Sequence, residues 1–202
     1  MNKVFFLMLA ASALAFAACE RATPAENAQH DQPQEATKDT AVVFRNGQTA
    51  GQVASRAFDL TKAKLADVKL PEIKSPGITV RGDSSYQVYS VDETVLFDTD
   101  KSTIKSAAAA SLQEIVASIG QRYAGKQVEV MGFADSRGDA KYNKQLGKER
   151  ANAVKSYLVD TGKLPAANVS TESFGEQNPV ASNATTEGRK ENRRVEIAVQ
   201  TR

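Results

Sequence analysis

From residue 87 to residue 200 the apolar repeat switches back and forth between two and 3.6 residues, and that alternation limits the available folds more than any other feature. Val95-Leu96-Phe97 reads as the end of a strand, and Asp100 to Ser102 as N-cap chemistry for a helix. On that helix Leu112, Ile115, Val116 and Ile119 recur at i, i+3, i+4 and i+7, which makes one apolar stripe. Gln127 to Phe133 alternates, with Val128 and Val130 on one face. A second helix runs from about Ala140 to Val159 and stops near Gly162. A short strand follows at Val169 to Phe174. The last strand, Arg194 to Gln200, alternates through Val195, Ile197 and Val199. The order β-α-β-α-β-loop-β predicts an α/β (α+β) sandwich, with a mixed sheet covered by helices on at least one face.

The segments before residue 86 differ in character. Residues 1–18 carry one charge, Lys3, ahead of an apolar run rich in Phe, Leu and Ala. That is the layout of a secretory signal, and it is shorter than the ~20 residues a comfortable membrane span needs. Phe16-Ala17-Ala18 before the single cysteine, Cys19, resembles a bacterial lipobox. The resemblance implies lipidation of Cys19, which then heads the mature chain, and Glu20 after it favours the outer membrane. Several acyl chains on one cysteine anchor firmly where a single chain is marginal. Residues 19–40 form a flexible linker, with two prolines, mixed charge and almost no large apolar residue. A chain of that length has a typical end-to-end distance of roughly 25 Å. His30 lies within it, with no second histidine anywhere.

Residues 41–85 form an N-terminal segment without a functional assignment. Gln52 to Val68 can be read as a helix of loose apolar spacing, broken afterwards by Pro71 and Pro76. Ile78 to Val80 and Tyr86 to Tyr89 read as a hairpin around the turn chemistry of Arg81-Gly82-Asp83-Ser84-Ser85. The Arg-Gly-Asp tripeptide is read here as a turn, not an adhesion signal. Residues 86–202 are the principal domain.

Charge excludes one class of partner. With 26 basic and 24 acidic residues there is no large field to draw the chain to nucleic acid. One cysteine and one histidine, both near the N-terminus, exclude a metal cluster of Cys and His ligands, and no cofactor is expected.

The chemistry concentrates on the second helix. Leu146, Val154 and Tyr157 fall in one narrow stripe, and Arg150 lies inside it; Asn143, seven residues earlier, projects from nearly the same side. A guanidinium on an apolar face needs an anion. An internal salt bridge, an arginine reaching off the stripe edge, or a ligand would each satisfy it. The loop before this helix places Asp135 at the end of a strand. An acid there, beside an isolated Arg and Asn, makes a pocket of two signs suited to a zwitterion.

Four blocks then match in order. They are Phe97-Asp98-Thr99-Asp100; Gly132-Phe133-Ala134-Asp135-Ser136-Arg137-Gly138; Asn143-x-x-Leu146-Gly147-x-x-Arg150-Ala151-x-x-Val154-x-x-x-Leu158; and Gly175-Glu176-Gln177-Asn178-Pro179-Val180 with Gly188-Arg189-x-x-Asn192-Arg193-Arg194-Val195-Glu196. This combination resembles the OmpA-like C-terminal domain family, which includes the peptidoglycan-associated lipoproteins. The resemblance implies non-covalent binding of the meso-diaminopimelate of the peptidoglycan stem, without catalysis. Asp135 is expected to receive the ligand's ammonium and Arg150 its carboxylate, with Asn143 and Asp100 as further polar contacts. Ala134 stands where the family usually has Thr, and Gly147 where it has Ser; glycine costs roughly 1 kcal/mol inside a helix. Arg193 and Arg194 are expected to face solvent or make structural pairs. Envelope protein partners, in a secretion or motility complex, form the alternative reading for residues 41–85.

Overall fold

A computed structural model describes residues 58–202. The lipobox cysteine, the linker and the first part of the Gln52–Val68 helix expectation lie outside the described residues. Six strands form one sheet: β1 (Ala66–Asp67), β2 (Ile78–Gly82), β3 (Tyr86–Asp92), β4 (Val128–Phe133), β5 (Val169–Gly175) and β6 (Arg194–Gln200). Their spatial order is β1-β2-β3-β6-β4-β5. Only β4 and β5 run parallel; every other neighbouring pair is antiparallel. The α/β mixed-sheet reading of the sequence therefore holds.

Four helices accompany the sheet. They are a single turn α1 (Glu93–Leu96), then α2 (Ala109–Arg122), α3 (Ala140–Ser156) and α4 (Thr186–Asn192). A wider π turn at Tyr157–Thr161 extends α3 to Gly162. Helix α2 buries Leu112, Ile115 and Ile119, while α3 buries Ala151 and Val154. They pack on Tyr89, Val91, Val130, Ile197 and Val199 of the sheet. Each such aliphatic or aromatic side chain removed from water contributes about 1.5–3 kcal/mol.

The opposite face of the sheet is also covered. Val88, Met131, Phe133 and Ala198 pack there with Phe58, and Leu60 and Leu65 add to them. The chain from 58 to 68 is thus a short 3-10 turn (Leu60–Lys62) followed by β1, not a helix. Its apolar residues match the sheet's second face, so tertiary packing outweighs a weak helical pattern. Residues 66–82, placed by sequence outside the principal domain, supply two strands of its sheet. The hairpin expected at Arg81–Ser85 is present, and Asp83 accepts from the backbone N–H groups of Ser85 (2.7 Å) and Tyr86 (2.8 Å). Arg81 pairs with Glu196 at 3.3 Å.

Three local expectations need correction, the first being the loop between the last two strands, which contains α4 (Thr186–Asn192). Val95-Leu96-Phe97 does not end a strand, because β3 stops at Asp92 and one helical turn follows, closed by the Phe97 N–H donating to the Glu93 carbonyl at 2.8 Å. Asp100 does not cap α2. It adopts φ +55°, a left-handed backbone that Asp tolerates better than most side chains. A 3-10 turn at Ser106–Ala108 leads into α2 instead.

The polar positions of β6 are not solvent-facing either. Arg194 and Glu196 are both buried and pair at 2.8 Å. The Arg194 guanidinium also lies 3.8 Å from the centre of the Phe133 ring. Alternation identified the strand, but helices α2 and α3 cover one of its faces and residues 58–65 the other.

Candidate functional site

The site forms where α1, the β4–α3 loop, α3 and the segment entering β6 converge. Asp139 caps α3, its Oδ1 accepting from the backbone N–H of Lys141 (2.9 Å) and Tyr142 (3.1 Å). The helix then lies unusually close to β4. A Cβ on Gly132 would come within 2.0 Å of the Gly147 carbonyl oxygen. That approach explains Gly147 within the helix: its missing side chain lets the two backbones meet, and a Cβ there would lie 2.6 Å from Ser173 Oγ. The contact sets the height of Asn143 and Arg150 above the sheet.

Arg150 is 3% exposed. Its Nη2 donates to Glu93 Oε1 at 2.6 Å, and its Nε to the Lys101 carbonyl at 3.0 Å. Its guanidinium carbon lies 5.4 Å from the centre of the Phe97 ring. Of the partners considered from sequence, the internal salt bridge is therefore present, and the anion is Glu93. Its other oxygen, Oε2, lies 2.7 Å from Arg193 Nε. That N–H is poorly aligned, leaving Oε2 buried without a true hydrogen bond. Arg193 in turn donates through Nη1 to Asp135 Oδ2 at 2.8 Å. Arg137 completes the series, with Nη2 and Nε 3.2 and 3.3 Å from the same Oδ2.

Five side chains thus alternate in sign: Arg150, Glu93, Arg193, Asp135, Arg137. Removing charge from water is expensive, and an alternating chain of counter-ions offsets that cost where a lone ion does not. Burial pushes the Asp135 carboxyl up. The Arg137 backbone N–H, the Arg193 guanidinium and the Arg137 side chain outweigh it, holding the group below the ordinary carboxylate range.

All four residues singled out from sequence line one cavity of about 690 Å³: Asp100, Asp135, Asn143 and Arg150. Asp135 and Arg150 do not pair with each other, since the Glu93–Arg193 pair stands between them. The lining acids are Glu93, Asp98, Asp100 and Asp135; the lining bases are Lys105, Arg137, Arg150 and Arg193. The formal charges balance, which suits a guest carrying both signs. Asp100 sits exposed in the loop after α1. Asn143 lines the cavity, but its Nδ2 donates to the Arg137 carbonyl (2.9 Å), the Asp135 carbonyl (3.2 Å) and Glu176 (3.3 Å). It clamps the loop that presents Asp135.

Sequence reasoning missed Glu93 altogether and did not place Arg193 in the site. Glu93 lay inside what read as a continuous strand. Arg193 was expected to face solvent or make a structural pair; it ends α4, pairs with Glu93 and Asp135, and its carbonyl accepts from the Glu93 N–H at 3.0 Å. An acid immediately before an apolar strand-like run was the one available signal for Glu93.

The chain is similar to several known proteins of the bacterial envelope. The OmpA family profile matches residues 96–193. The "Probable lipoprotein YiaD" of Escherichia coli K12 is 34% identical over 142 residues, covering 70% of this chain and 62% of that protein. The "Peptidoglycan-associated lipoprotein" of Agrobacterium fabrum is 34% identical over 105 residues, 52% of this chain and 58% of its own length. The chain thus spans less than two thirds of either relative. Among solved structures, the cell wall anchor of the T6SS from Pseudomonas aeruginosa superposes with a TM-score of 0.59 at 30% identity, over 65% of this chain and 92% of that one. The sheet order, the four ordered blocks and these matches together establish that the chain belongs to the OmpA family.

Proposed function

We propose that this domain holds peptidoglycan without catalysing any reaction, by seating the meso-diaminopimelate of a stem peptide between Asp135 and Arg150. The observation that carries this reading is the single cavity into which a buried base and a buried acid both open without bonding to each other. A zwitterionic amino-acid end presents an ammonium to Asp135 and a carboxylate to Arg150, and charge-assisted hydrogen bonds supply the selectivity. Asp100 contributes at the rim. The names of two relatives, one a cell wall anchor and one peptidoglycan-associated, support the same reading.

Cys19 would carry the lipid, and the domain would tether the outer membrane to the wall across the 19–40 linker. No helix of the described residues is long and apolar enough to cross a membrane. A hydrolytic role fits poorly, because a general acid must keep its proton and the Asp135 carboxyl is held ionised by arginines.

Cosedimentation with purified sacculi tests the proposal. Asp135→Asn and Arg150→Ala should each lose binding while their circular dichroism stays that of the parent. Full retention of binding by both folded variants would eliminate the pocket as the anchoring site.

A further inference from the structure

Asp135 is the acid to which the proposed function assigns the ligand's ammonium, yet its carboxylate already carries two guanidinium groups. They are held very differently. The Arg193 side chain is 24% exposed and is fixed on its far side by Glu93 at 2.7 Å. The Arg137 side chain is 66% exposed and reaches Oδ2 only at 3.2 and 3.3 Å. Its side chain has no other polar contact among the described residues. Its backbone N–H donates separately to Asp135 Oδ1 at 2.9 Å, so the loop conformation does not depend on the side chain.

An ammonium arriving beside both arginines would be a third cation crowded on one carboxylate, repelled by each. Exchange with Arg137 avoids this. One cation leaves, one arrives, and the site's charge is unchanged. Arg137 can swing into water, where a guanidinium is well solvated, whereas Arg193 cannot leave without also breaking its contact with the buried Glu93.

We propose that the Arg137 guanidinium is a built-in competitor that an ammonium-bearing ligand must displace from Asp135. This rests on the reading of Asp135 as the ammonium site. The competitor lowers apparent affinity by the fraction of molecules in which it occupies the acid. It also screens guests, because a ligand without a cation gains nothing from moving it. For an exposed pair of this length, its removal should tighten binding about two- to five-fold.

Calorimetric titration of the full chain with free meso-diaminopimelate and with pimelate, the same dicarboxylate lacking both amino groups, tests this. R137Q should bind diaminopimelate more tightly than wild type and pimelate no more tightly. D135N should lose diaminopimelate. If D135N loses it but R137Q leaves it unchanged or weaker, the competitor is refuted while the acid keeps its role. An equal gain for both ligands in R137Q refutes the competitor too. If wild type does not bind diaminopimelate, or D135N binds it undiminished, the reading of Asp135 falls and the competitor falls with it.

Discussion

Arg150 and Glu93, 57 positions apart in the chain, meet at 2.6 Å with side-chain exposures of 3% and 9%. Each is costly in that environment without its counter-ion. Glu93→Ala leaves Arg150 and Arg193 without their shared anion, and loss of one partner from a buried pair costs about 3–5 kcal/mol. Urea denaturation should register a loss of that order. A double-mutant cycle with Glu93→Gln and Arg150→Gln should return a coupling of at least about 1 kcal/mol. Additivity of the two changes would mean that the pair does not hold the site together.

Stability should change with pH through two carboxyls of opposite behaviour. Asp135 is held below its ordinary 3.8. Its contribution is complete above that value and disappears as pH falls through the lower folded pKa. Glu129, buried on β4 with Oε1 unpartnered, is pushed up to about 7 by burial and then by the neighbouring charge of Glu172, with Lys148 opposing. Between its ordinary 4.5 and about 7 the unfolded chain releases this proton and the folded chain keeps it. Stability therefore falls with rising pH across that window, by roughly 3 kcal/mol. Glu129→Gln should flatten this limb in thermal melts from pH 4.5 to 7.5; an unchanged slope would contradict the assignment.

The close seating of α3 on β4 predicts contrasting glycine substitutions. Gly132→Ala would drive a Cβ to 2.0 Å from a backbone oxygen and should cost about 3 kcal/mol or more, beyond ordinary overpacking. Gly120→Ala, inside α2 with nothing within 4 Å of the added carbon, should stabilise by about 0.5–1 kcal/mol. Chemical denaturation of the pair checks both signs at once.

Binding to sacculi through two ionic contacts in a water-open cavity should weaken as salt rises, because the Debye length shrinks from about 10 Å at 0.1 M to about 3 Å at 1 M. Cosedimentation across that range should show the bound fraction falling steadily. Salt-independent binding would point to an apolar surface.

Some of this was legible before any coordinates. Strands β4, β5 and β6 and helices α2 and α3 follow from period alone, since each presents a continuous apolar stripe to the core. Asp135 and Arg150 stood out as an acid closing a strand and a cation on an apolar helix face. The α1 turn was hidden because Thr94 and Val95 are β-branched and favour strands in isolation. The segment around Phe58 was hidden because its apolar residues answer to a sheet face built from positions far along the chain.

The order of α2, β4, α3, β5 and β6, the two-sign character of the site and the residues at its two ends were thus written in local pattern, where spacing and side-chain chemistry act within a few residues of one another. The counter-ions were not. Glu93 and Arg193 become neighbours of Arg150 and Asp135 only when β6 inserts between β3 and β4. Which buried charge meets which depends on that long-range strand pairing, and sequence spacing carries no record of it.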